Sequence, residues 1–195
     1  EIKNPLTPIQ LSAERMRRRL LPAMAERDAE LLDRATHTIV QQVEAMKQMV
    51  NAFSEYARAP AMELADFDLN ALVRDVVDLY RAHEARVRFV LEPAPGELTV
   101  HADRGRIRQV LNNLLTNSLE ALEAEAEPAI VVATRRAGGG LAELEVRDNG
   151  PGFQREFIGQ VFDQYVTSKP KGTGLGLAIV RKIVDEHGGR IEAEN

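Results

Sequence analysis

The first 59 residues carry two heptad seams, and no other feature restricts the fold of this chain as strongly. Ile2, Leu6, Ile9, Ala13, Met16 and Leu20 follow one another alternately at four and three residues. Ile39, Val43, Met46, Val50, Phe53 and Ala57 repeat the pattern. That spacing lays an apolar stripe along one face of a helix. Between the seams, Pro22 and the polar stretch Glu26-Arg27-Asp28 predict a turn, so residues 1–59 read as a helical hairpin. Two helices cannot cover both stripes between themselves. The expected outcome is a homodimer through the hairpin that closes a four-helix bundle. An intramolecular bundle packed on the rest of the chain is the alternative. Pro5 and Pro8 each remove a backbone donor and crowd the carbonyl four residues before, those of Glu1 and Asn4, which predicts a bend there.

Ala59-Pro60-Ala61 reads as a linker, and residues 60–195 follow a different pattern. Asp68 is placed to cap a helix through Leu72, Val73, Val76, Val77 and Tyr80. Residues 87–91 and 98–101 read as strands, and Asp103 opens a helix through Ile107, Val110, Leu111, Leu114, Leu115, Leu119 and Leu122. Strand-like runs at 130–135 and 141–147 flank Gly138-Gly139-Gly140. A helix follows at 175–186, ended by Gly188-Gly189, and a further strand is expected at 190–194. The expected architecture is thus an all-α hairpin followed by an α+β sandwich.

Bulk properties narrow the function. A hydrophobic fraction of 44% supports a packed core. A formal charge of −5 argues against nucleic-acid binding, and the one basic block, Arg15-Met16-Arg17-Arg18-Arg19, reads as a solvated helix face. The absence of cysteine excludes disulfides, thiolate metal sites and a cysteine nucleophile. No apolar run reaches the roughly 20 residues of a membrane helix, so no membrane contact is expected of these residues. The chain begins with Glu1 and not Met, which predicts the cytoplasmic portion of a longer, membrane-anchored protein.

Three segments carry the chemistry. In Asn113-Leu114-Leu115-Thr116-Asn117, two amides stand at i and i+4 on an otherwise apolar helix. They need partners there, and amide oxygens are hard ligands suited to Mg²⁺ and its phosphates. Capping of nearby backbone is the other reading. In Asp148-Asn149-Gly150-Pro151-Gly152, a carboxylate at a strand end can accept from an adenine amino group, and Gly150 and Gly152 let a base approach the backbone. An ordinary hairpin turn has the same composition. In Gly172-Thr173-Gly174-Leu175-Gly176, a glycine-rich turn opens a helix, where exposed N–H groups and the helix dipole suit phosphate; Lys169 and Lys171 add positive charge just before it. In this order the three describe a pocket for a purine nucleotide with a divalent metal.

These segments resemble the N box (113–122), G1 box (148–152), F box (Val161-Phe162-Asp163-Gln164-Tyr165) and G2 box (172–176) of two-component sensor histidine kinases. The opening Glu1-Ile2-Lys3-Asn4-Pro5-Leu6-Thr7-Pro8-Ile9-Gln10 resembles the histidine box of NtrY-type nitrogen-regulation kinases. The resemblance implies a dimerisation and phosphotransfer hairpin over 1–59 and an ATP-binding domain of Bergerat (GHKL) type over 60–195. It implies that Asn117 binds Mg²⁺ with help from Asn113, and that Asp148 holds the adenine amino group. Lys169, Gly172, Thr173, Gly174, Leu175 and Gly176 would meet the phosphates of ATP under a lid at 153–171. It implies a response-regulator receiver domain, NtrX-like, as partner.

The phospho-acceptor of the family directly precedes the Glu-Ile-Lys-Asn-Pro string, and no residue precedes Glu1 here. Glu1 would orient that imidazole or take its proton, and Asn4 would help orient water for dephosphorylating the partner. None of His37, His83, His101 and His187 stands in the acceptor context; His187 reads as a helix-end residue. Glu120 replaces a common basic residue, Gln164-Tyr165 replaces the common Pro-Phe, and one further sheet strand would be expected after Asn195. Two other readings remain at this point. One is an ATPase of the gyrase, Hsp90 and MutL group, whose water-activating Glu would stand where Asn113 does. The other is a dimeric scaffold gated by nucleotide without kinase activity.

Overall fold

The computed structural model describes residues 3–57, 61–167 and 172–195, with backbone alone at 3–5, 48 and 51–57. The chain divides into two compact units: the N-terminal hairpin belongs to the first, and residues 61–167 and 174–195 belong to the second.

In the hairpin, α1 (Lys3–Leu20) and α2 (Glu26–Ala57) are joined by a short 3-10 turn at Leu21–Ala23. Glu26 and Asp28, expected in the turn, instead form the first turn of α2, where acidic side chains favour the positive end of the helix dipole. The helix assignment of α1 is unbroken through Pro8. Pro8 lies inside the helix and removes one intrahelical bond, while the Glu1 carbonyl that Pro5 would crowd lies outside the described residues. The two heptad positions behave differently. Leu6, Ala13 and Val43 are buried in the hairpin, with Thr36 in register seven residues before Val43. Ile9, Met16, Ile39 and Met46 stay between 38% and 49% exposed. Toward the open part of the hairpin one heptad position is buried and the other is left exposed; near the connecting turn Leu20, in register with Leu6 and Ala13, is exposed as well.

In the second unit, β1 (Ala65–Asp68) pairs antiparallel with β3 (Thr99–Ala102). A three-stranded sheet runs in the order β2 (Arg88–Glu92), β4 (Ala129–Arg136), β5 (Ala142–Asp148), with β2 and β4 parallel and β4 and β5 antiparallel. Helices α3 (Leu69–His83) and α4 (Arg104–Ala121) cover this sheet, and α5 (Gly176–Glu186) packs on α4. Leu72, Val76, Val77, Leu111, Leu115, Leu122, Ile130 and Val132 are essentially fully buried in this core. Each such side chain contributes about 1.5–3 kcal/mol of transfer free energy.

Both predicted caps form. Asp68 accepts from the Asn70 N–H at 3.0 Å and also from the Leu98 N–H at 3.1 Å, so it starts α3 and anchors the approach to β3. Asp103 accepts from the Arg106 N–H at 3.0 Å to start α4. Asn70, though buried, is satisfied by the Ala94 and Gly96 carbonyls and the Thr134 hydroxyl.

Two expectations change. The strand Ala65–Asp68 was not legible, because only Phe67 has strand character and the pairing partner is 35 residues away. The strand expected at 190–194 does not form: Ile191 and Ala193 are half-buried and Glu192 and Glu194 exposed, so the alternation is present, but no ladder bonds accompany it. Period-two burial is local, whereas a strand is defined by a paired neighbour.

Candidate nucleotide site

Asn113 and Asn117 lie on the middle turns of α4. Ala121 continues their line one turn further on. An ideal Cβ at Gly150 would lie 3.3 Å from the Ala121 Cβ and 3.4 Å from its carbonyl oxygen. The turn after β5 therefore seats on the face of α4 that carries both asparagines, and a side chain at 150 would press on Ala121 and on the Asp148 carboxylate.

The Asp148 carboxylate ends β5 and is exposed; its Oδ1 accepts from the Gly150 N–H at 3.0 Å. The second oxygen has no partner among the described residues. The neighbouring Asn149 takes a structural part that sequence reasoning missed. Its Oδ1 accepts from the Ala129 N–H at 2.8 Å and its Nδ2 donates to the Glu127 carbonyl at 3.0 Å. This amide fixes the turn to the start of β4 and leaves Asp148 to face outward.

The glycine-rich turn leads into α5, which packs on α4. The Arg106 guanidinium pairs with Glu186, and the Asp103 N–H donates to His187 Nε2 at 3.0 Å. These bonds tie the last residues of α5 to the first turn of α4, and the two helices pack together. Within the turn, Gly174 has φ +65° and its carbonyl accepts from the Tyr165 N–H at 2.9 Å. Leu175 is buried and anchors the helix start, while Gly172 and Gly176 are exposed. Thr173 is half-buried.

Asn113 Nδ2 is buried without a hydrogen-bond partner among the described residues. A buried donor left unpaired costs about 1–3 kcal/mol, which a phosphate oxygen would recover. Turned over, the same amide would present its oxygen, a hard ligand suited to Mg²⁺. The donor set therefore fits a metal-bound nucleotide. Among the described residues no cluster of three or more His, Asp or Glu offers a competing metal site. Glu1 and Lys169 lie outside the described residues, as does the side chain of Asn4.

His187 is more than a helix-end residue. Because Nε2 accepts from a backbone N–H, the ring hydrogen sits on Nδ1 and donates to the Ile183 carbonyl at 2.7 Å. The ring is engaged at both nitrogens, as a link between α5 and the start of α4. An open cavity of about 530 Å³ lined by Ile158, Phe162, Arg181 and Arg190 includes neither asparagine nor Asp148.

Residues 102–195 match the family of histidine kinase-, DNA gyrase B- and HSP90-like ATPases, and residues 1–61 match the His kinase A (phospho-acceptor) domain. The nitrogen regulation protein NtrY of Azorhizobium caulinodans is 42% identical over 98% of this chain and 25% of its own length. The chain belongs to the sensor histidine kinase family. It spans a quarter to a third of the length of the NtrY and NtrY-like relatives it matches. Full-length ShkA, solved in complex with AMPPNP, aligns over all of this chain and 42% of its own, with TM-score 0.70 and 26% identity. Histidine kinase ThkA, solved in complex with the response regulator protein TrrA, aligns over 97% of this chain and 53% of its own, with TM-score 0.67 and 30% identity. Helical hairpin and GHKL-type domain are thus the two parts of a kinase core. No helix of the described residues is long and apolar enough to cross a membrane.

Proposed function

We propose that this core binds ATP with Mg²⁺ and transfers the γ-phosphoryl group to a histidine directly before Glu1 in the intact protein. From there the group passes to an aspartate of a response-regulator receiver domain, NtrX-like. The observation that carries the reading is the orphaned Asn113 amide on the α4 face where the Asp148 turn seats.

Asp148 accepts from the adenine amino group, with Gly150 and Gly152 leaving the backbone open to the base. Asn113 and Asn117 hold the metal and phosphates. Lys169, Gly172, Thr173, Gly174, Leu175 and Gly176 line the phosphate end at the positive pole of α5. Mg²⁺, when bound, neutralises phosphate charge. The protein's task in such a transfer is positioning and charge neutralisation, with little covalent work. Asn113 is not a base, which separates this site from the water-activating ATPases of the wider group. Glu1 orients the acceptor imidazole or takes its proton, and Asn4 orients water when the partner is dephosphorylated. The uncovered heptad positions on α1 and α2 fit a homodimer, and the whole is the cytoplasmic part of a membrane-anchored sensor.

The test is transfer from γ-labelled ATP. The intact protein should acquire an acid-labile, base-stable label and pass it to a receiver domain, and Asn117→Ala should abolish labelling while the protein stays folded. An acid-stable label, or wild-type protein that takes up none, would refute the kinase reading.

A further inference from the structure

The turn proposed to meet the base is held by two side-chain amides, one on each flank. Asn149 bonds the Ala129 N–H and the Glu127 carbonyl in front of it. Behind it, Asn195 bonds a single residue twice: its Oδ1 accepts from the Phe153 N–H at 2.8 Å and its Nδ2 donates to the Phe153 carbonyl at 2.7 Å. Among the described residues no other hydrogen bond reaches Pro151, Gly152 or Phe153. Asn195 comes from the segment after α5, which forms no strand, so its hold on Phe153 is made by the side chain alone.

Gly152 explains how the amide gets there. Its φ is +71°, a left-handed conformation that favours glycine. An ideal Cβ at Gly152 would lie 2.7 Å from Asn195 Oδ1 and 3.1 Å from its Cγ. The amide passes over the bare backbone of Gly152 to reach Phe153. A side chain at 152 would occupy its place.

We infer that Asn195 is a positioning residue for nucleotide binding: it locks the backbone where the base-binding turn ends and the segment leading to the glycine-rich turn begins. It acts through Phe153 and touches no nucleotide. The inference rests on the reading of residues 148–152 as the base site. Because the lock acts on the base end, its loss weakens every adenine nucleotide by the same factor, whatever its phosphates.

The experiment compares wild type, Asn195→Ala, Gly152→Ala and the double variant in the intact protein. ADP and AMP affinities are measured by calorimetry, and exchange of the Phe153 amide by hydrogen–deuterium exchange. Loss of two hydrogen bonds predicts ADP and AMP binding each weakened roughly tenfold by Asn195→Ala, with faster Phe153 exchange. The double variant should bind no more weakly than Gly152→Ala alone, since both changes break one lock. A merely structural role would lower the unfolding midpoint without this coupling. The inference is overturned by unchanged Phe153 exchange, by unchanged ADP affinity despite faster exchange, or by a loss confined to ADP. Wild-type protein that binds neither nucleotide overturns the base-site reading and the inference with it, and is told apart because the variants are then not needed to see it.

Discussion

The Tyr165 N–H donates to the Gly174 carbonyl at 2.9 Å, and a Cβ on Gly174 would lie 2.6 Å from the carbonyl carbon of Tyr165. The two stretches that the sequence keeps apart as F box and G2 box are thus in backbone contact. Tyr165 itself has φ +64°, the one non-glycine residue with positive φ among those described, and it is exposed. Gly174→Ala should separate the two stretches. The left-handed backbone and the overlap together cost about 2–4 kcal/mol, mostly at the glycine-rich turn. ATP affinity should fall by at least about tenfold while the core unfolds near the wild-type midpoint. Wild-type affinity in this variant would show that the contact does not shape the phosphate end.

Asp148→Asn keeps the oxygen that accepts from Gly150 and removes the charge, so the turn should persist. The amide can present a donor where the adenine amino group needs an acceptor. ADP affinity measured by calorimetry should fall by about one to two orders of magnitude, as for a lost charge-assisted bond. Unchanged ADP affinity would sink the assignment of the adenine contact.

Asn113→Leu removes the unpaired buried donor and adds apolar volume on an apolar helix. The nucleotide-free protein should gain about 1 kcal/mol in urea unfolding, while ADP binding with Mg²⁺ is lost. A destabilised variant, or one that still binds, would mean that the amide has a partner in the free protein or no role in binding.

Asp103 sets an acid limit on stability. Burial of its carboxyl works to raise the pKa, but the backbone N–H groups of Glu63, Arg106 and Gly105 and the Arg106 guanidinium outweigh burial and hold it below the usual value. A group depressed on folding contributes stability above its unfolded pKa of about 3.9, and that contribution fades as pH falls through the folded value. Asp103→Asn keeps a capping oxygen and does not titrate. Between about pH 5 and pH 2.5, its urea midpoint should fall less steeply than that of the wild type; parallel curves would exclude Asp103 as a contributor.

In the hairpin, Ile39→Glu with Met46→Glu places charge on uncovered heptad positions and leaves Val43 in place. Sedimentation should show monomers, with helicity by circular dichroism retained. A dimer that survives both changes would locate the homodimer contact elsewhere.

The helices were legible because their signals are local. Asp68 and Asp103 sit one residue before α3 and α4, where a carboxylate can reach the first free N–H groups. Asn113 and Asn117 fall on one face by helical spacing alone. Other features had no local signal. Asn149 and Asn195 look like ordinary polar residues, and each acts only because a distant backbone segment lies within 3 Å of its amide. His187 looked like a helix end and proves to be a bond between α5 and α4. Thr36 is buried in the hairpin although it is polar, since its hydroxyl bonds back to the Leu32 carbonyl at 2.7 Å.

The amino-acid sequence by itself determined which stretches are helices, where two of them begin, and which three segments carry amide, carboxylate and glycine chemistry. Those properties depend on neighbours within about one turn, so they are written in residue spacing. Only the tertiary structure decided that Gly150 rests on Ala121, that Gly174 rests on Tyr165, that β1 finds β3, and that the Asn195 amide reaches Phe153. These are close approaches between distant segments. They are set by the packing of α4 and α5 and the pairing of the strands, which no local pattern encodes.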